Sequence, residues 1–248
     1  MKNAIVFGAT SGIAQSTIHQ LAQNGYNLYL LARSPELMND FAQDCHVRYP
    51  QIQVELASYD ASKDTGEILT QKIDNAFEKL GKVDLIFIAH GTLPDQTVCA
   101  QSWEKAQEAI QINALSIIEI CHKTALKLQQ QKHGSIAVIS SVAGLRGRQS
   151  NYIYGTTKGM LNIYLQGLRN SLYPDNIHVL TILPGFVDTK MTTSYKKGLL
   201  WAKPDVVAKD IMNAINKKQD ILYTPWFWRY IMLILKSIPE SLFKKLKT

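Results

Sequence analysis

Asn3-Ala-Ile-Val-Phe-Gly8-Ala-Thr10-Ser11-Gly12-Ile13-Ala14 is the stretch whose reading decides the fold. An apolar run too short for a helix stops at Gly8, and Gly12 then opens a helical pattern. Glycine lets the backbone turn tightly and come close to a pyrophosphate, whose charge then faces the free N–H groups of a helix start. Gly8, Thr10, Ser11, Gly12 and Ile13 are therefore candidate cofactor-binding positions. Ala14 stands where a third glycine often sits and is small enough for close packing.

The same alternation continues along the chain. Short apolar runs at 3–9, 27–33, 53–59, 83–90, 135–141, 177–184 and 220–224 are separated by helical stretches near 12–24, 35–45, 64–80, 102–131, 152–172 and 204–217. Runs such as Leu85-Ile-Phe-Ile-Ala89 are apolar on both faces, which favours a buried parallel sheet. The expected fold class is α/β, a Rossmann-type doubly wound parallel sheet of about seven strands with helices on both faces, plus a C-terminal amphipathic helix. With 248 residues and 46% hydrophobic content the chain can bury one full core. Residues 1–224 read as a single dinucleotide-binding and catalytic domain and 225–248 as a basic tail.

Ligands of such sheets bind at the carboxyl ends of the strands. The second run ends at Arg33, where an NAD site usually places an acid for the ribose hydroxyls; a guanidinium suits a 2′-phosphate, so NADPH is preferred over NAD. Asp60, beside Ala61, could hydrogen-bond the adenine amine or cap a helix before Ser62. Ala89 and Gly91 end the fourth run, and Pro184, Gly185, Val187 and Thr189 follow the sixth; all are candidate cofactor positions. Ser140 and Ser141 end the fifth on opposite faces, so only one of them can aim at a substrate. Asn113 lies mid-helix among apolar neighbours and needs partners, either as a helix-bending device or in a water relay.

Tyr154 and Lys158 are four residues apart and share a helix face. At about 4 Å and an effective dielectric near 20 the pair gains roughly 4 kcal/mol. That would lower a tyrosine pKa from ~10 by up to about three units, so the phenol could exchange a proton at neutral pH.

Together these residues resemble the short-chain dehydrogenase/reductase family over roughly residues 3 to 217, with the Gly-x-x-x-Gly, Ser, Tyr-x-x-x-Lys and Pro-Gly elements in order. The resemblance implies that Tyr154 is the general acid/base, that Lys158 tunes it and holds the nicotinamide ribose, and that Ser141 polarises a carbonyl oxygen. It further implies that Asn113 holds a water linking Lys158 to solvent and that Thr189 meets the nicotinamide carboxamide. The expected reaction reduces a ketone, or oxidises a secondary alcohol, with NADPH or NADP, in a homo-dimer or tetramer built on the helices near 102–131 and 152–172. The family's usual Asn-Asn-Ala-Gly is here Ile88-Ala-His90-Gly91, and His90 reads either as packed core or as a site residue.

The tail is the second clue. Trp226-Phe-Trp228-Arg229-Tyr230-Ile-Met-Leu-Ile-Leu-Lys236-Ser-Ile-Pro239 predicts a helix from Trp226, with Arg229 and Lys236 on one face. Thirteen residues span about 20 Å, short of the ~30 Å hydrocarbon core. Trp226, Phe227, Trp228 and Tyr230, with Lys244, Lys245 and Lys247 behind them, suit an interfacial anchor on an anionic membrane surface through residues 226–247. The other reading is a contact with a sister subunit. The tail also loosely resembles that of polyprenyl-phosphoryl pentose 2-keto-reductases. The aromatic and leucine-rich segment 189–203, which contains Ser194, is expected to form a lid over an apolar substrate.

Three function classes follow. The first is a carbonyl reductase of hydrophobic or lipid-linked ketones, peripheral on a membrane. The second is a soluble reductase of small or acyl-carrier-bound ketones. The third is a non-catalytic NADPH-binding scaffold or redox sensor. The net charge of +7 forms no aromatic-interleaved basic motif, so no nucleic acid is expected. Cys45, Cys99 and Cys121 lie outside any CxxC frame and the six histidines form no i, i+4 pair, so no metal is expected. The N-terminus reads as a first strand instead of a signal peptide, which points to the cytoplasm.

Overall fold

The computed structural model describes residues 1–193 and 195–246; Ser194 of the lid segment and Lys247 of the basic tail lie outside the described residues. In chain order the elements are β1 (Lys2–Phe7), α1 (Gly12–Gln23), β2 (Tyr26–Ala32), α2 (Asn39–Arg48), β3 (Val54–Ser58), α3 (Gly66–Leu80), β4 (Leu85–Ile88), α4 (Gln96–Gln101), α5 (Trp103–Ile110), α6 (Ser116–Gln131), β5 (Gly134–Ile139), α7 (Tyr152–Leu172), β6 (Ile177–Pro184), β7 (Phe186–Val187), β8 (Trp201–Ala202), α8 (Pro204–Asn216), β9 (Ile221–Thr224), α9 (Trp228–Ser237) and α10 (Glu240–Phe243). Seven parallel strands lie in the order β3-β2-β1-β4-β5-β6-β9.

Strand alternation divides the core in two. Ala4 and Val6 face a layer that includes Ile18 and Leu21 of α1 and Val207 and Ile211 of α8. Ile5 and Phe7 face the opposite layer, with Leu69 and Ile73 of α3, Ile120 and Leu128 of α6, and Leu161 and Leu165 of α7. Every residue of β4 and β6 is buried, as strands covered by helices on both faces require. The doubly wound sheet read from the sequence is the architecture observed.

The helical stretch near 102–131 is not one regular helix. Ser102, in an extended conformation, caps α5 through Lys105 N–H at 3.3 Å and separates it from α4. A π turn at Gln111–Leu115 then joins α5 to α6. Asn113 sits inside that turn, so the polar residue in an apolar helix marks the irregularity. Near its end the lid segment supplies one strand, β8, which pairs with β7 just before the segment, Phe186 opposite Trp201; the sequence did not suggest this ribbon.

Two expectations about the tail are corrected. The helix begins at Trp228, because Pro225–Phe227 form a turn whose first α-type bond runs from Ile231 N–H to Phe227 at 3.2 Å. Trp228, expected at an interface with lipid, is 3% exposed and packs with Val142, Leu183 and Met232. The outward side of α9 carries Arg229, Tyr230, Leu233, Ile234 and Lys236.

Candidate active site

The glycine turn after β1 is built as its sequence suggests. Gly8 takes a φ of +79°, and a Cβ there would lie 2.5 Å from the His90 nitrogen, so the turn presses on the end of β4. Ser11 caps α1, its Oγ accepting from Ala14 N–H at 3.2 Å, and Ala14 is fully buried. Thr10, Gly12 and Ile13 are half-buried beside it. A Cβ on Gly12 would meet Thr189 Cγ2 at 3.3 Å, which brings the ends of β1 and β6 together.

The remaining cofactor candidates flank this turn. Arg33 is exposed at the end of β2, and its charge helps hold the Asp60 carboxyl below its usual range. The larger cause is Ser62, whose N–H and hydroxyl both donate to Asp60 Oδ1, at 2.9 and 2.7 Å. The helix-capping role weighed for Asp60 is not what these bonds do: they close a turn over residues 61–63, and α3 starts later, after Thr65. Ala61, Ala89, Pro184 and Val187 are buried, and Gly185 is half-buried.

The proton-handling groups sit where β4, β5 and α7 meet. Ser141 caps the short turn Val142–Leu145, accepting from Ala143 N–H at 3.1 Å. Ser140 points the other way, donating to Asn162 Oδ1 at 2.6 Å, so Ser141 is the serine beside Tyr154. Lys158 is 2% exposed; its ammonium lies 5.7 Å from the Tyr154 ring centre and donates to the Ile139 carbonyl at 3.2 Å. A Cβ on Gly91 would reach Asn113 Oδ1 at 2.9 Å and Lys158 Nζ at 3.7 Å, so Gly91 lies between these two groups and a side chain there would crowd Asn113. Asn113 Oδ1 accepts from Thr92 N–H at 2.8 Å, while its buried Nδ2 has no partner among the described residues.

The expected lowering of the Tyr154 pKa is not what this arrangement produces. Burial pushes the phenol up to about 12, with the Ser141 hydroxyl acting in the opposite direction. Burial also pushes Lys158 down to about 8, because its ammonium too has lost water. The phenol is therefore neutral at neutral pH and a weaker acid than free tyrosine. His90 is half-buried: its ring meets Tyr59 at an angle of 64° with centroids 5.5 Å apart, and its Nε2 pairs with Ser116 Oγ at 2.9 Å. Burial, followed by the Lys158 charge, drives its pKa down to about 3, so it is neutral.

Sequence reasoning missed residues that shape the site without chemistry of their own. A Cβ on Gly144 would lie 2.4 Å from the Lys158 carbonyl carbon, fixing the serine turn against α7. Gln96 Oε1 accepts from Ile153 N–H at 2.9 Å in the first turn of α7. Trp228 packs on Val142 of the serine turn, and Arg146, just after that turn, bonds to α9. Only the glycine spacing offered any signal for these; the others depend on segments far apart in sequence.

The family model for short chain dehydrogenases matches residues 2–199. An uncharacterized oxidoreductase of Streptomyces coelicolor is 27% identical over 253 residues, covering 99% of this chain and 96% of that protein. A 3-oxoacyl-acyl-carrier-protein reductase of Bos taurus is 27% identical over 203 residues, 80% of this chain and 81% of that one. Among solved structures, a short chain dehydrogenase from Burkholderia cenocepacia in complex with NADP superposes with a TM-score of 0.82 at 18% identity, covering 100% of both chains. The match over most of its length places this chain in the short chain dehydrogenase family.

Proposed function

We propose that the protein is an NADPH-dependent carbonyl reductase in which Tyr154 protonates the oxygen of a ketone. The observation that carries this reading is the convergence of Ser141, Tyr154 and Lys158 on one buried corner beside Gly91 and Asn113. The residues present fit a dinucleotide. Gly12 leaves a cradle at the start of α1 that a Cβ would narrow against Thr189, Arg33 is free at the end of β2 to meet a 2′-phosphate, and Asn113 Nδ2 is an unspent buried donor. Bound NADPH would supply the hydride.

The chain's own groups do the rest. Ser141 donates to the carbonyl oxygen and fixes its position. Tyr154, protonated at neutral pH, delivers its proton to the developing alkoxide. Lys158, held by the Ile139 carbonyl, lies close enough to stabilise the phenolate left behind, and Asn113 positions the route by which the proton is replaced.

The substrate is proposed to be hydrophobic or lipid-linked and to be met at a membrane surface. No helix among the described residues is long and apolar enough to cross a membrane. Support comes from the outer side of the tail, where Trp226 is 71%, Leu233 64% and Ile234 66% exposed, with Arg229, Lys236, Lys244 and Lys245 around them. Exposed Trp103, Leu126 and Ile163 on α5, α6 and α7 support a homo-oligomer built on those helices.

The test is NADPH oxidation against a panel of apolar and small ketones, comparing wild type with Tyr154→Phe. Loss of turnover by roughly 10²–10⁴-fold, with NADPH binding kept, is expected. Equal rates in the two proteins on every ketone would leave only the scaffold reading.

A further inference from the structure

We propose that Arg146 is a positioning residue, holding the Ser141 turn in register through the C-terminal helices. The inference rests on the reductase reading of Ser141 and names an element of the same site outside the usual run of motifs.

The serine turn is gripped from two sides. On one, Gly144 and Gly155 bring its backbone against α7; a Cβ on Gly155 would lie 3.1 Å from the Ala143 carbonyl oxygen. On the other, Val142 packs with Trp228 and Met232 of α9. The α7 side cannot move without moving the catalytic helix. The α9 side depends on what holds α9.

Arg146, directly after the turn, holds the C-terminal end of α9. Its Nη1 donates to the carbonyls of Leu235, Lys236 and Ile238 at 3.2, 2.9 and 2.8 Å. Its Nη2 bonds Glu240 Oε2 at 2.9 Å, and its guanidinium carbon lies 4.0 Å from the centre of the Phe243 ring. One cation thus satisfies carbonyls that a helix end leaves without partners, at the negative pole of that helix, and stacks on an aromatic face. The guanidinium side chain is only 14% exposed, whereas Glu240 is 77% exposed. A lysine offers a point charge without the planar fork and cannot replace this set. Trp228, at the start of α9, is fitted against Gly185 and Phe186, so the strand end fixes one end of the helix and Arg146 fixes the other.

The experiment is a double-mutant cycle on the full chain, pairing Arg146→Ala with Ser141→Ala. It reads kcat, the KM for ketone and for NADPH, and amide hydrogen exchange through Val142–Leu145. In the wild-type background Arg146→Ala is expected to lower kcat by about tenfold to a hundredfold, the scale on which small misplacements act, while KM for NADPH holds. In the Ser141→Ala background the same change should cost less than about twofold, because its effect passes through the serine. Exchange at the turn should quicken while the sheet amides stay protected.

Equal fractional losses in both backgrounds, or an unchanged kcat, would overturn the proposal. Should Arg146→Ala not fold, Glu240→Ala and Phe243→Leu each remove one contact and keep the carbonyl bonds. A loss of about two- to fivefold confined to the background with Ser141 supports the proposal, and no loss or equal losses count against it. If wild type reduces no ketone at all, the reductase reading fails, and exchange at the turn still decides whether Arg146 holds it.

Discussion

Gly185 and Trp228 leave no room between them: a Cβ added to Gly185 would fall 1.9 Å from the indole Nε1. Gly185 follows the buried β6, and Trp228 begins α9, so the tail helix is fitted to the end of a central strand. Gly185→Ala must push the indole out of its place beside Val142 and Leu183. The expected cost is about 1–3 kcal/mol, the usual range for overpacking, measured by urea unfolding. Pairing it with Trp228→Leu should recover part of that loss, because the two changes share one space.

Lys158 gives a pH signature with a definite sign. In the folded protein its pKa is pushed down to about 8 from an ordinary 10.5. Between these values the unfolded chain binds more protons at this residue than the folded one, so its contribution makes stability rise with pH. The burden is fully present below about 8 and gone above 10.5. Relative to Lys158→Met, the wild type is expected to gain on the order of 2–3 kcal/mol between pH 8 and 10, read from parallel denaturation curves. A flat difference would mean that the ammonium is not desolvated.

Arg33 is exposed and lies near enough to Asp60 to influence its carboxyl, so its removal should leave the fold intact. Arg33→Ala is expected to raise KM for NADPH by about ten- to a hundredfold, the worth of a charge-assisted hydrogen bond, and to leave KM for NADH nearly unchanged. Steady-state kinetics with both nucleotides measures the ratio. Equal changes for both would remove the 2′-phosphate from the account of this residue.

Leu233 and Ile234 are both exposed, so Leu233→Glu with Ile234→Glu tests the tail surface without touching the core. Wild type is expected to pellet with anionic vesicles in a salt-sensitive manner, and the double variant to remain in the supernatant. If neither pellets and the variant alters the mass of the assembly, the same surface is a subunit contact.

Much of this was legible because it is local. The Gly8–Gly12 turn, Ala14 and the buried strands follow from spacing and apolar runs; alternation limited the serine to one of two, the family resemblance pointed to Ser141, and Ser140 is indeed turned away, to Asn162. The Tyr154 pKa was not legible, because pair spacing gives the attraction between phenol and ammonium and says nothing of the water both have lost. Trp228 was misread for a related reason. An aromatic cluster in a tail looks the same in sequence whether it meets lipid or the glycine of a distant strand. Arg146 stood unmarked because its hydrogen-bond partners are 89 to 94 residues away and its ring partner, Phe243, lies further still.

The strand order also bears on how the chain reaches this structure. No neighbouring strands of the main sheet are joined by a hairpin. Even the pair nearest in sequence joins Lys2 to Tyr26, and the central pair joins Ala4 to Leu85. Each pairing must close a long loop before it gains any contact, so the sheet has no quick local nucleus. Refolding should therefore be slow for the chain's size, with β1, which needs partners from two distant segments, exposed to wrong neighbours until both arrive.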